Sequence, residues 1–180
     1  SQSFMTSRNI LNICRQVSMI GICSVGMTMV LLTGGIDISV GSIIALSGVV
    51  AAKLIAENMW PIFPAMVVGV VIGVICGIIS GVMVAKFDVP ALIATLAMQS
   101  IARGIAFILT QGIPVYGLPE QIRVLGQGYF LNIPIPVYIM VLMVFIGWWL
   151  LEQTTFGRHV YAIGGNEEVA RLSGINVMMR

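Results

Sequence analysis

Gly34-Gly35-Ile36-Asp37-Ile38-Ser39-Val40-Gly41-Ser42 lies between two apolar runs, Ile10 to Thr33 before it and Ile43 to Ala56 after it. Both runs read as membrane helices, since a bilayer span takes about 20 mostly apolar residues. Glycines at 34, 35 and 41 let the backbone leave helical geometry, because a residue without Cβ accepts φ/ψ values closed to others. Non-helical backbone at membrane depth survives only where protein buries it or where it lines a watery cavity. An ionisable side chain at such a break, here Asp37, marks a candidate functional site. Asp and Ser are also favoured N-cap residues, so Asp37 equally reads as the cap of the following helix. The two roles are compatible.

Composition puts the whole chain in the same class. Charged residues are 9% of the 180 and hydrophobic residues 58%, against about 25% and about 45–50% in soluble domains. An integral membrane protein follows, with lipid as the solvent for most of its surface. The net charge of +2 is too small to argue for nucleic acid. Cys14, Cys23 and Cys76 are odd in number, lie in apolar runs and show no metal spacing. They read as small buried hydrophobes, with no disulfide framework and no metal site. No charged n-region with a cleavage site stands near Ser1, no initiator Met is present, and the sequence stops at Arg180. It reads as a fragment of a longer protein.

Five apolar segments stand out, near residues 10–33, 40–57, 62–84, 90–110 and 134–151. The first, third and fourth are long enough to span; the second and fifth are shorter and are tilted, re-entrant or continued by their flanks. Lys and Arg collect on the cytoplasmic side of short loops. With the fourth and fifth segments as full spans, Lys86, Arg158, Arg171 and Arg180 share one side, and Arg123 is alone in the intervening loop. That puts the 85–89 turn and the tail 152–180 in the cytoplasm, Trp60 outside, and the 34–42 break toward the inside. Arg8 and Arg15 then fall outside, against the rule. Trp60, Tyr138, Trp148 and Trp149 near segment ends read as interfacial anchors.

Gly69, Gly73, Gly77 and Gly81 recur every four residues and so share one helix face. They form a groove about 18 Å long at 1.5 Å of rise per residue. Small faces of this kind let helix backbones approach closely in lipid. Whether the groove takes a helix of this chain or a second copy is open. Gly41, Ala45, Gly48 and Ala52 make a milder small-residue face, and Lys53 and Glu57, one turn apart, are expected to pair. Pro90 is a favourable helix start, and after it Thr95, Gln99 and Arg103 stand four residues apart, a polar stripe on an apolar helix. Arg103 reads either as half of a buried structural pair or as a cavity-lining residue.

The 111–133 loop carries Gly112, Pro114, Gly117, Pro119, Gly126 and Gly128 without a helical pattern. It is expected to be ordered on the outer face and to offer a docking surface for an outside partner. In the tail, Asn166 is a candidate N-cap, Glu167 and Glu168 suit the positive start of a helix, and Gly174 suits its C′ position. A helix of about two turns is marginal alone, so its capping signals suggest that the membrane domain or a partner holds it, the alternative being an ordinary surface helix. His159, beside the membrane and without a partner motif, reads as an interfacial charge. There is no P-loop, His-Glu-x-x-His, Cys pair or Gly-x-Ser-x-Gly. ATP binding through a P-loop is excluded, and catalysis would need Asp37, Arg103 or His159 to act almost alone.

The stretch Leu32-Thr33-Gly34-Gly35-Ile36-Asp37-Ile38-Ser39-Val40-Gly41-Ser42-Ile43-Ile44-Ala45-Leu46-Ser47-Gly48 closely resembles the signature of permease subunits in monosaccharide-type ABC importers. That family handles ribose, galactose, arabinose, xylose and the autoinducer-2 furanose. Val89-Pro90 to Gly104 with Leu109-Thr110-Gln111-Gly112, and Phe156-Gly157-Arg158-His159-Val160-Tyr161-Ala162-Ile163-Gly164-Gly165-Asn166 through Asn176, resemble its next blocks, in order. The resemblance implies an all-α polytopic transmembrane bundle, here one partial permease domain over 1–180, cut from a roughly ten-helix protein. It implies multi-pass insertion in the bacterial cytoplasmic (inner) membrane. It also implies a second permease copy or homologue, cytoplasmic ATP-binding subunits holding ATP and Mg, and a periplasmic or lipid-anchored substrate-binding protein. No cofactor is expected on this chain.

Glu168-Val169-Ala170 with Gly174 resembles the Glu-Ala-Ala-x-x-x-Gly loop of importer permeases, with Val169 departing from it. By that resemblance Asn166, Glu167, Glu168, Ala170, Arg171 and Gly174 couple to the ATPase. On the same reading Gly34, Gly35, Asp37, Ser39, Gly41 and Ser42 line or gate the path, and Thr95, Gln99 and Arg103 support it. Two rivals stand beside this expectation: a secondary transporter with Asp37 as its ion-coupling site, and a membrane-embedded enzyme with Asp37 catalytic.

Overall fold

The computed structural model describes residues 6–175. Eight helices and one two-residue hairpin are formed there: α1 (Ser7–Leu32), α2 (Val40–Ala56), α3 (Ile62–Phe87), α4 (Ala91–Thr110), α5 (Glu120–Gln127), β1 (Tyr129–Phe130), β2 (Ile133–Pro134), α6 (Ile135–Gln153), α7 (Thr155–Gly165) and α8 (Glu167–Leu172). Asn9–Leu32, α3, α4 and α6 are long and apolar enough to cross a membrane, and α2 is a shorter apolar helix of 17 residues. The five expected segments are therefore five helices, each within three residues of its expected ends. Prolines set three of the starts: Pro61, Pro90 and Pro134 stand at the N-cap positions of α3, α4 and α6. Proline cannot extend a helix backward, but its fixed φ suits a helix start. Asp88 and Gln111 close α3 and α4 in the left-handed region, at φ 51° and 52°.

Two compact units form, one from α1 with Glu120–Ala170, the other around Gly34–Pro119. In the second, α2 packs on both α3 and α4. Its core is Leu46, Cys76, Met98, Ala102 and Ala106, flanked by Ile43, Val49, Val50 and Ile72. Cys76 thus packs as a small hydrophobe, while Cys14 is exposed. Large apolar residues such as Val70, Val74 and Ile78 on α3 stay exposed. For a helix crossing lipid, that outward stripe is its natural solvent contact.

In the first unit α1 lies along α6. Gly21 faces Met140, and Gly147 faces Val25 and Met29, so the two helices run parallel. At one end of α1, the Arg15 guanidinium donates to the Gln127 carbonyl at 3.2 Å and lies 5.0 Å over the Tyr129 ring. At the other end, the Leu32 carbonyl sits so close to Gly164 of α7 that a Cβ there would collide with it.

The 111–133 stretch, expected as a loop without helical pattern, contains α5 and an antiparallel hairpin with Tyr129 opposite Pro134 and Phe130 opposite Ile133. Leu131 and Asn132 turn it with φ of 48° and 63°, the paired positive φ that a two-residue hairpin of matching twist requires. Eight residues are too few for a periodic pattern to be read with assurance, and Leu is not a residue that announces such a turn.

Candidate functional site

The break between α1 and α2 is seven residues of non-helical chain, 33–39. Gly34 alone among its glycines takes a left-handed φ, +80°. Gly41, expected to help break the helix, lies inside α2. Asp37 is not the cap of α2 either. Ser39 holds the N-cap position, and its side chain makes no capping bond. Instead, Asp37 Oδ1 accepts from the Ser39 amide at 2.8 Å and from Ser39 Oγ at 2.6 Å. That is an Asx-type turn, in which a carboxylate replaces a backbone acceptor two residues on. It fixes the approach to α2 and points the Ser39 hydroxyl back at the Asp37 carboxylate. Ser39 is fully buried and Ser42 nearly so, while Asp37 is half-buried.

From α4, Thr95 Oγ1 reaches the Ile36 carbonyl at 3.2 Å while also lying 2.9 Å from the Ala91 carbonyl. The hydroxyl thus ties a span to the broken segment. Of the polar stripe, Thr95 is buried, Gln99 half-buried and Arg103 exposed. Arg103 stands eight residues, about 12 Å of helix, beyond Thr95, so these three side chains do not converge on one point. Among the described residues, no three His, Cys, Asp or Glu side chains come together.

The glycine stripe of α3 divides in two. At Gly69 an added Cβ would stand 3.0 Å from the Ser47 carbonyl oxygen and 3.4 Å from the Ala51 Cβ; at Gly73 it would meet Ser47 Oγ and Ile43. That half is the seat of α2. An added Cβ at Gly77 meets nothing within 4 Å, and Gly77 and Gly81 line an open groove of about 530 Å³. The partner face on α2 is Ile43, Ser47 and Ala51, whereas the small face from Gly41 to Ala52 is not the one that meets α3. Ser47 and Ala51 are small too, and periodicity alone could not choose between two such faces.

The tail is where local sequence and structure agree most closely. Asn166 Oδ1 accepts from the amides of Glu168 and Val169 at 3.0 and 3.1 Å, capping α8 as its position in the sequence suggests. Gly174 follows the helix with φ +80°, the left-handed residue that ends a helix in this manner. Ala170 is buried, while Glu168, Val169 and Leu172 are exposed, Leu172 at 84%. Helix α7 was not legible in advance. Thr154 caps it, accepting from the Gly157 amide at 3.4 Å, and buries Val160 and Ile163 while leaving Arg158 and His159 exposed. The Tyr161 hydroxyl donates to Glu152 Oε1 at 3.3 Å. Desolvation and the Glu152 carboxylate raise the Tyr161 pKa above its ordinary value.

The model of the family described as branched-chain amino acid transport system / permease component matches residues 9–179. The chain belongs to this family. Ribose import permease protein RbsC of Bacillus subtilis (strain 168) is 48% identical over 97% of this chain and 55% of its own length. RbsC of Escherichia coli (strain K12) is 43% identical over 98% and 56%. The L-arabinose ABC transporter permease protein AraH of Azospirillum brasilense is 40% identical over 97% and 51%. This permease chain spans about half the length of the curated relatives it matches. No solved structure matches it. Family and apolar helices together make it a multi-pass chain of the bacterial inner membrane.

Proposed function

We propose that the full-length protein is the membrane-spanning subunit of an ATP-driven importer that moves a monosaccharide or related small solute inward. The names of its relatives, ribose and arabinose permeases, support that solute class. In this reading ATP and Mg belong to cytoplasmic ATP-binding subunits, a periplasmic or lipid-anchored protein delivers the solute, and a second permease copy or homologue completes the path. Within the molecule, the observation that carries the reading is α8. A helix of six residues has little stability of its own, yet it is capped by Asn166 and offers Glu168, Val169 and Leu172 to the surroundings. A preformed ridge of that kind suits docking on an ATPase, whose closure would displace α8 as a rigid body and gate the path.

The parallel course of α1 and α6 supports the membrane topology. Two parallel spans need an odd number of crossings between them, so α2 crosses together with α3 and α4. Lys86 and the tail then lie inside, and Arg123 and the hairpin outside. Arg15, anomalous on that count, is held by Gln127 and Tyr129, so its charge serves the outer loop rather than orientation.

The test is co-purification. From full-length protein expressed with its neighbouring genes, an ATP-binding subunit is expected to come down with the permease. Glu168→Arg or Gly174→Trp should release it while the membrane domain stays folded. An ATPase that never associates, or that stays bound to both variants, rules the assignment of α8 out.

A further inference from the structure

At the outer ends of α2 and α4 the second unit holds a hollow of about 410 Å³, within the roughly 300–1,000 Å³ of small-molecule sites. Five of its nine lining residues, Lys53, Glu57, Thr110, Gln111 and Tyr116, carry polar side-chain groups, and the other four are apolar. Lys53 Nζ donates to the Leu109 carbonyl at 2.7 Å and pairs with Glu57 Oε1 at 3.1 Å. The first bond satisfies one of the carbonyls that a helix C-terminus leaves open and holds the ammonium at the rim. Gln111 and Gly112, both at positive φ, then reverse the chain, and Thr110 Oγ1 accepts from the Gly112 amide at 3.2 Å. A left-handed non-glycine residue is a strained choice, and here it turns the following loop, with Tyr116, along the hollow.

The chemistry selects a class of ligand. Lys53 and Glu57 cancel, so the hollow has no preference for an ion. Ammonium and amide donors stand beside carboxylate and amide acceptors, and hydroxyl groups, which donate and accept at once, match such a set. Tyr116 adds a ring face for the C–H surface of a sugar. We propose that this hollow is a low-affinity receiving site for a neutral polyhydroxylated solute on the outer side of the permease, ahead of the path through the spans. The proposal rests on the sugar-importer reading.

The experiment uses the full-length permease with its ATP-binding and solute-binding partners in proteoliposomes, with radiolabelled D-ribose and L-arabinose as probes. Uptake of neither sugar by the wild-type assembly overturns the ribose-or-arabinose assignment on which the proposal rests. Given wild-type uptake, Glu57→Gln, Gln111→Asn and Tyr116→Ala are each expected to lower maximal uptake about fivefold, the size of one lost hydrogen bond. The half-saturating concentration of loaded binding protein should not change. Unaltered uptake in all three variants overturns the proposal. So does a loss that appears only as a raised half-saturating concentration, which would make the patch a docking surface for the binding protein. Should another variant fold poorly, saturation-transfer NMR of the sugar that the assembly takes up decides, on the permease alone and on its Glu57→Gln variant, a side chain 55% exposed. Transfer weakened by the substitution supports the site, and equal transfer in the two proteins, or none in the wild type, overturns it.

Discussion

At the residue scale, Asp37 and Ser39 form one device. A single carboxylate oxygen accepts both the amide and the hydroxyl of Ser39, which is fully buried. Asp37→Ala should destabilise the protein by about 1–3 kcal/mol, because it leaves two buried donors unpaired, and thermal unfolding in detergent measures this. Asp37→Asn keeps an acceptor oxygen in place, so it should cost under about 1 kcal/mol and leave uptake standing. Collapse of uptake in that variant with the fold intact would instead favour an ion-coupling carboxylate. Thr95→Val preserves shape and removes the bond to the Ile36 carbonyl, for an expected loss of about 1 kcal/mol in the same unfolding assay. The importance of Asp37 was legible in the sequence, because a carboxylate between spans is rare. Its partner was not, since Asx turns and N-caps draw on the same residue types.

At the scale of elements, the glycine stripe of α3 is two surfaces. Gly69→Leu would drive a side chain into the Ser47 carbonyl, separating α2 from α3 at a cost of about 1–3 kcal/mol or more. Gly77→Ala meets open space and should be neutral, or stabilising by up to about 1 kcal/mol through helix propensity. Equal losses in the two variants, read from unfolding midpoints, would contradict this division. Helix α7 teaches a related point. Gly157 and Gly164 lie against the carbonyls of Leu151 and Leu32, where no Cβ fits. A sequence shows such glycines as possible turns and cannot show that another backbone has come close.

At the scale of the whole molecule, the parallel pair α1 and α6 bears on the number of crossings. In a full-length protein without other cysteines, Glu57→Cys should react with a membrane-impermeant maleimide from outside the cell, and Lys86→Cys only after the membrane is opened. Ile36→Cys, ahead of α2, should likewise label only after opening, and labelling of it from the same side as Glu57→Cys would make α2 re-entrant. Length argued weakly for α2 as a span, at 17 residues and about 25 Å. The geometry of two other helices argues for it strongly.

What the sequence determined by itself was whatever is local or periodic: membrane class, five apolar helices, the Pro90 start, the Asn166 cap and the Gly174 stop. These depend on neighbours within a turn or two, and the chain carries that information at the site itself. The tertiary structure decided what depends on distant partners. Lys53 meets a carbonyl 56 residues away, Thr95 reaches across to Ile36, and Arg15 meets the Gln127 carbonyl and the Tyr129 ring. Which small face of α2 meets α3 belongs with these. In an apolar chain nearly every face is hydrophobic enough to be buried, so pattern cannot rank them, and only the shapes of the packed helices can.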